Sequence, residues 1–297
     1  MNIVISGATG QIGRHLLQQL DFTQHDYTLI TRRADALADA AARGARIAQG
    51  DLNDRAFLED TLTGADAFFF LPPPNFASED MIAEYEALAV TARDAVRAAG
   101  VDRVVHLSTI GGHIDDRQTG LIFGQHRAEE VIAEAADSVL HLRNGFFLEN
   151  YFASAATLAQ GGAIYLPVSG GARYQFVATV DIAGLVKELI EDEAWSGHQV
   201  IEYHGHTRSF DEVATQLGAG LGFEVQHVSV PPEAAIEALV GMGLSEAYAS
   251  DLTALLQAID SGLLKAEHQP PSDRVREGGL TPREFAEQFL QPVLAAN

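Results

Sequence analysis

Apolar and polar positions follow two alternating rhythms in the first half of the chain. Asn2-Ile3-Val4-Ile5 is a short run of β-formers, and the leucines of 14–20 recur at helical spacing. Residues 27–31 read as a second strand, 34–43 as an alanine-rich helix, and 45–48 as a third strand ending at Gly50-Asp51. A helix over 54–62 would be capped by Asn53 or Asp54. Residues 66–71 form a buried apolar run stopped by Pro72-Pro73-Pro74. Ile82, Tyr85, Ala89, Ala92 and Val96 then mark one face of a long helix that ends at Gly100. A fifth strand over 103–107, a helix over 124–136 and a sixth strand over 139–142 complete the series. Strands separated by single helices predict an α/β fold of Rossmann type, a doubly wound parallel sheet with right-handed crossovers.

After Arg143 the rhythm breaks. Residues 144–159 read as helix, and Gly161-Gly162 and Gly170-Gly171 bracket short β pieces. Residues 180–190 form a helix opened by Thr179 or Asp181, followed by a strand over 198–203 and a helix over 210–217. Helices over about 233–241 and 245–263 precede a last helix after Pro282. The expected organisation is a dinucleotide-binding domain over 1–150, to which 175–200 returns, and a smaller mixed α/β substrate domain over 151–297. The second domain would sit over the carboxyl edge of the sheet, where ligands of such sheets bind.

Composition narrows the classes. A hydrophobic content of 47% in 297 residues excludes general disorder and allows a sizeable core. No run approaches the ~18 apolar residues of a membrane span. Met1 leads straight into the first strand, so no signal peptide is expected and a cytoplasmic location is. The absence of cysteine removes disulfides, thiolate metal sites and a cysteine nucleophile. A formal charge of −22, with Lys187 and Lys265 the sole lysines, repels phosphate backbones and argues against direct nucleic-acid binding.

The most informative stretch is Ser6-Gly7-Ala8-Thr9-Gly10-Gln11-Ile12-Gly13, a G-x-x-G-x-x-G turn between strand and helix. Gly7 suits a tight turn, Gly10 lets backbone N–H groups approach a pyrophosphate, and Gly13 lets the helix sit close on the strand. Thr9, Gln11 and Ile12 belong to the same phosphate-facing turn and helix start. At the end of strand two, where a free ribose hydroxyl would meet a carboxylate, the chain has Arg32-Arg33. Two guanidinium forks favour a 2′-phosphate, hence NADP(H). Asp51, with Leu52 beside it, either accepts from the adenine amino group or caps the helix that follows. The backbone of Leu71 and Pro72 is expected to pass along the cofactor ribose. His204-Gly205-His206 has no evident third ligand, so no metal is expected.

These residues, with Gly50-Asp51, Leu107-Ser108, His126-x-x-x-Glu130 and Leu142-Arg143-Asn144-Gly145-Phe146-Phe147-x-Glu149-Asn150, resemble the NmrA-like branch of the atypical short-chain dehydrogenases. The likeness runs from residue 1 to about 215 and more loosely beyond; its most specific piece is 142–150, its least specific the glycine turn. It implies NADP(H) binding and either reduction of aromatic acceptors or redox sensing. The ordinary members of the wider family use a Tyr-x-x-x-Lys pair, whose positions here fall on Ile122 and His126. The resemblance implies that His126 hydrogen-bonds the nicotinamide ribose; taken alone it reads equally as a helix-surface histidine. Ser108, at the end of strand five, sits where a hydroxyl would face the nicotinamide, or is a plain turn residue.

Asn144, Phe146, Phe147 and Asn150 are the expected lining of a substrate site for a small aromatic molecule. Without the tyrosine acid, an acceptor that delocalises incoming charge, a quinone or a conjugated dye, is favoured over a simple ketone. A cofactor-binding regulator acting through a protein partner and a dedicated biosynthetic ketoreductase are the competing expectations, and monomer or homodimer stays open.

Overall fold

The computed structural model describes residues 1–295. Its central sheet is assembled in chain order from β1 (Asn2–Ile5), β2 (Asp26–Thr31), β3 (Arg46–Gln49), β4 (Ala67–Phe70), β5 (Arg103–Thr109) and β6 (Ser138–Asn144). Between them run α1 (Gln11–Gln19), α2 (Ala38–Ala42), α3 (Arg55–Leu62), α4 (Met81–Ala99) and α5 (Leu121–Ile132). The later elements are β7 (Phe146–Phe147), α6 (Ala155–Gly161), β8 (Ala163–Leu166), β9 (Arg173–Val177), α7 (Thr179–Glu191) and β10 (His198–Ser209). The chain then continues through α8 (Phe210–Leu221), β11 (Gln226–Ser229), α9 (Pro232–Gly241), α10 (Glu246–Asp260), β12 (Val275–Glu277) and a last helical run opening with α11 (Pro282–Phe285).

Ten strands form one sheet in the order β3-β2-β1-β4-β5-β6-β10-β9-β7, with β12 also on β10. Every pairing is parallel except β9 on β10. The strand order reverses at β1 and β4, and the crevice at such a reversal is where doubly wound sheets bind ligands. Strand alternation sends Val105 and Leu107 towards α1 and α7, with Leu16, Ile182 and Val186. It sends Val104 to the other face, where Leu58, Ala92 and Ala128 of α3, α4 and α5 cover it. A third cluster, around Phe176, Phe210, Leu217 and Phe285, holds the C-terminal elements together. None of the described helices is long and apolar enough to cross a membrane.

Three expected elements need correction. The stretch 144–159 is not one helix: β6 runs to Asn144, Phe146 and Phe147 pair with Phe176 and Val177 of β9, and a 3₁₀ turn precedes α6. Gly145 makes this possible, since a Cβ there would lie 2.5 Å from the Gln175 carbonyl oxygen. The helix expected over 34–43 is a 3₁₀ turn, Ala34–Leu37, followed by the short α2. The strand expected over 198–203 continues to Ser209 because its second half is taken up by β9.

Candidate functional site

The turn after β1 is fastened to the end of β4. The Ser6 hydroxyl donates to the Phe69 carbonyl at 3.1 Å and accepts from the Leu71 N–H at 2.8 Å. Gly7 takes φ +69°, and a Cβ on it would come within 2.6 Å of Leu71 Cδ2. Gly13 is packed so closely on the turn that a Cβ would run into the backbone of Gly7 and Ala8. Helix α1 has no side-chain cap and no acidic residue in its first turn. The N–H groups of Gln11 and Ile12 therefore stay available, backed by the positive end of the helix dipole. That is the chemistry of a phosphate cradle.

Beside it lies a cleft of about 290 Å³ whose lining includes Gly7, Thr9, Arg32, Asp51 and Leu52. The guanidiniums of Arg32 and Arg33 are exposed and form no hydrogen bond or ion pair with other described residues. Asp51 accepts from the N–H and the side-chain amide of Asn53, both at 2.9 Å. Those bonds, with the charge of Arg32, hold its carboxyl below the usual range. The helix cap is Asp54, which accepts from Phe57 N–H at 3.1 Å, so Asp51 does not cap α3. Leu71 is half-buried and Pro72 buried where β4 runs into this cleft. The glycine turn, the Arg32 guanidinium and the Asp51 carboxylate thus line one crevice, with the open start of α1 following the turn, and the residues present fit an NADP(H) molecule.

The acceptor end departs from the sequence expectation. The Ser108 hydroxyl does not face an open cleft; it donates to Glu129 Oε1 at 2.5 Å on the side of β5 covered by α5. The reason is strand parity, since Ser108 shares its face with Val104 and His106. Glu129 is also gripped by Arg143, Nε to Oε1 at 2.8 Å and Nη2 to Oε2 at 2.6 Å. Burial pushes the Glu129 carboxyl up, but the Arg143 bonds, neighbouring positive charge and the Ser108 hydroxyl bring it down to about 2. The hydroxyl of the next residue, Thr109, is half-buried and makes only long contacts, 3.3 Å and 3.5 Å, to carbonyls.

His126, on α5, is held through Nδ1 by the Gly112 carbonyl at 2.9 Å. The carbonyl can only accept, so Nδ1 carries a proton, and Nε2 lies 3.6 Å from the Asp115 and 3.8 Å from the Glu130 carboxylate. Neither lysine takes the place of the missing family lysine: Lys187 pairs with Glu191 on α7, and Lys265 is exposed on the segment after α10.

Asn144 is 1% exposed; its amide donates to the Leu142 and Ser108 carbonyls at 3.0 and 3.3 Å, while its Oδ1 is buried without a partner. An unpaired buried acceptor is costly and marks a place where a ligand donor would be rewarded. Phe146 and Phe147 are not brought together. Phe146 packs among Tyr151, Phe176 and Phe210, and Phe147 on the α1–α7 side. Asn150 is exposed on the 3₁₀ turn. Among the described residues no group of three His, Asp or Glu is placed to hold a metal ion. What the sequence reading missed is the Glu129–Arg143 pair; an arginine inside a buried parallel strand was its available signal.

Comparison with known proteins bears on the family and the fold. The chain is 26% identical over 260 residues to an NAD(P)H azoreductase of Xenophilus azovorans, 85% of each chain being covered. It is 25% identical over 253 residues to quinone oxidoreductase 2 of Escherichia coli, covering 84% of this chain and 85% of that one. The crystal structure of that E. coli enzyme complexed with NADPH superposes with a TM-score of 0.79 at 24% identity, over 96% and 98% of the two chains. The model of the NmrA-like family matches residues 1–267, a span that takes in the glycine turn, α5 and the 142–150 stretch alike. With nine-tenths of its length accounted for in this way, the chain belongs to the NmrA-like family.

Proposed function

We propose that the protein is an NADPH-dependent reductase that delivers hydride to a conjugated aromatic acceptor without a Tyr-x-x-x-Lys acid. The observation that carries this reading is the pairing of an open phosphate cradle with Ile122 and His126 at the acid and lysine positions of α5. Gly7, Thr9, Gly10, Gln11 and Ile12 hold the pyrophosphate, Arg32 and Arg33 the 2′-phosphate, and Asp51 and Leu52 the adenine. The backbone of Leu71 and Pro72 lines the ribose on the way to the nicotinamide. NADPH bound there would supply a hydride, to which a quinone or azo acceptor adds one proton from solvent and a cationic triarylmethane dye none.

His126 fixes the loop after β5 and offers Nε2 towards a ribose hydroxyl. Ser108 works through Glu129 and does not donate to the acceptor. The unpaired Asn144 Oδ1 is an acceptor for an amide or hydroxyl donor, and of the two phenylalanines only Phe146, in the aromatic cluster of the C-terminal half, is offered to an aromatic acceptor. With no positioned acid, quinones and dyes, which spread the incoming charge, react better than ketones.

Cofactor choice tests one half of this. NADPH should bind tighter than NADH, and Arg32→Ala should lose about 1.5–3 kcal/mol, roughly tenfold or more, for NADPH alone. Fluorescence titration of both cofactors reads this directly; equal affinities in the wild type would overturn it. Acceptor choice tests the other half, by single-turnover NADPH oxidation against quinones, azo and triarylmethane dyes and aromatic ketones from about pH 5.5 to 9. Quinone rates should vary little with pH, and His126→Ala should weaken NADPH binding and slow turnover. Tight NADPH binding with no oxidation by any acceptor would favour the redox-sensing regulator instead.

A further inference from the structure

Charged residues are rare inside parallel strands, which are covered on both faces. Here two stand side by side: Arg143 of β6 is in register with Glu202 of β10, and on its other side with Ser108 of β5. The row lies near the carboxyl ends of β5 and β6, the edge at which ligands of such sheets bind, and partway along the longer β10. Glu129 of α5 closes it from one side, taking Arg143 and Ser108 together. From the other side comes the segment 264–268, which follows α10. Arg143 Nη1 donates to the Glu267 carboxylate, and the fully buried Glu202 carboxylate accepts from the N–H groups of Glu267 and His268 at 2.9 and 2.8 Å.

The loop after β5 is caught between these two sides. A Cβ on Gly112 would lie 2.5 Å from Glu129 Oε1, and one on Gly111 would lie 2.5 Å from Leu264 Cδ2. His126, one turn before Glu129 on α5, holds the Gly112 carbonyl. The loop has α5 on one side and the 264–268 segment on the other, and among the described residues Arg143 is the one side chain bonded to both. Its side chain is 6% exposed and that of Glu129 7%, whereas Glu267 is 44% exposed. Buried ion pairs contribute little net stability compared with apolar packing, so a role in geometry accounts for this one better than a role in stability.

We infer that Glu129 and Arg143 are positioning residues that tie segment 264–268 to the end of β5, making that segment a wall of the acceptor site. The inference rests on the reductase reading and adds which part of the C-terminal half meets the acceptor. The glycine turn and Arg32 form no bond with Glu129, Arg143 or segment 264–268, and Glu267→Ala leaves His126 in place, so NADPH binding should be little changed by it.

The experiment uses the full chain with menadione as the quinone probe. Glu267→Ala, at the half-exposed end of the row, leaves the Glu129–Arg143 pair in place. It should raise the menadione KM by about fivefold or more while the NADPH Kd moves less than about twofold. Glu267→Gln keeps an oxygen for Arg143 and should restore the KM to within about twofold of wild type. Amide hydrogen exchange at Glu267 and His268 should quicken by about tenfold in the alanine variant, with or without cofactor. Unchanged KM and unchanged exchange in Glu267→Ala would overturn the inference, as would a parallel loss of NADPH affinity. If no acceptor were turned over, the reductase reading would fall, and the exchange measurement would still decide whether Arg143 tethers the segment.

Discussion

Gly10→Val is expected to abolish NADPH binding while the protein keeps its fold. Gly10 is the N-cap of α1 with φ −75° and ψ −179°, backbone angles open to any residue. A Cβ there would meet only the Gly7 carbonyl oxygen, at 3.3 Å, which a small shift relieves. The two methyls of valine, however, would stand in front of the Gln11 and Ile12 N–H groups, in the space a pyrophosphate needs. Exchanging a glycine cap for valine costs about 1 kcal/mol, roughly 2–4 °C in melting temperature for a chain of this size. NADPH should nevertheless fail to bind at concentrations about 100-fold above the wild-type Kd. Gly13→Ala makes the control, because its methyl strikes the backbone of Gly7 and Ala8 and should lower stability outright. A folded Gly10→Val protein that binds NADPH normally would move the phosphate site elsewhere.

Acid should destabilise the protein well before its carboxylates protonate. His106 of β5 is fully buried against Phe70, and its Nδ1 lies 3.1 Å from Nδ1 of His141 on β6. One nitrogen must donate and the other accept, so the accepting ring is neutral, and burial of both rings favours the neutral form of the donor as well, in the opposite tautomer. Burial first, then the neighbouring His141, pushes His106 from 6.5 down to about 3, and burial lowers His141 as well. In the unfolded chain a histidine takes up a proton near pH 6.5, and in the folded one His106 does so only near pH 3. The stability contributed by neutrality is therefore fully present above about pH 6.5 and falls as the pH drops towards 3.

At pH 5 the loss from His106 alone is about 2 kcal/mol. Glu129, held down to about 2, adds a second loss that begins only below its unfolded value of 4.5. Urea midpoints should hold from about pH 7.5 to 6.5 and fall from there to about 4.5, and the double variant His106→Leu, His141→Leu should flatten the upper part of that fall. A flat profile in the wild type would refute the neutral pair.

The fold was legible where sequence pattern and local geometry coincide. The β1–turn–α1 unit, the proline stop after β4 and the long α4 with its Gly100 end are all set by neighbours within a few residues. The cofactor crevice followed, since it is built from strand ends and one helix start. The acceptor end was less legible because its side chains are arranged by partners far away in sequence. Ser108 meets Glu129 across 21 residues, and Arg143 meets Glu267 across 124. Nothing near Ser108 says on which side of its strand the hydroxyl falls. Phe146 and Phe147 had the look of a helix start, and only their pairing with β9 makes them strand.

The late insertion of β10 has a consequence for how the chain is made. The six strands up to Asn144 are consecutive in the sequence, yet the outer edge of β6 is completed only by His198–Tyr203. At synthesis rates of about 5–20 residues per second, that edge waits on the order of 3–11 s for its partner. During this interval a nascent chain presents an open row of N–H and C=O groups, the template on which two copies stick together. The part already made, residues 1–144, carries 21 acidic and 12 basic residues, and this formal charge of −9 opposes such pairing between neighbouring chains on a polysome until β10 has arrived.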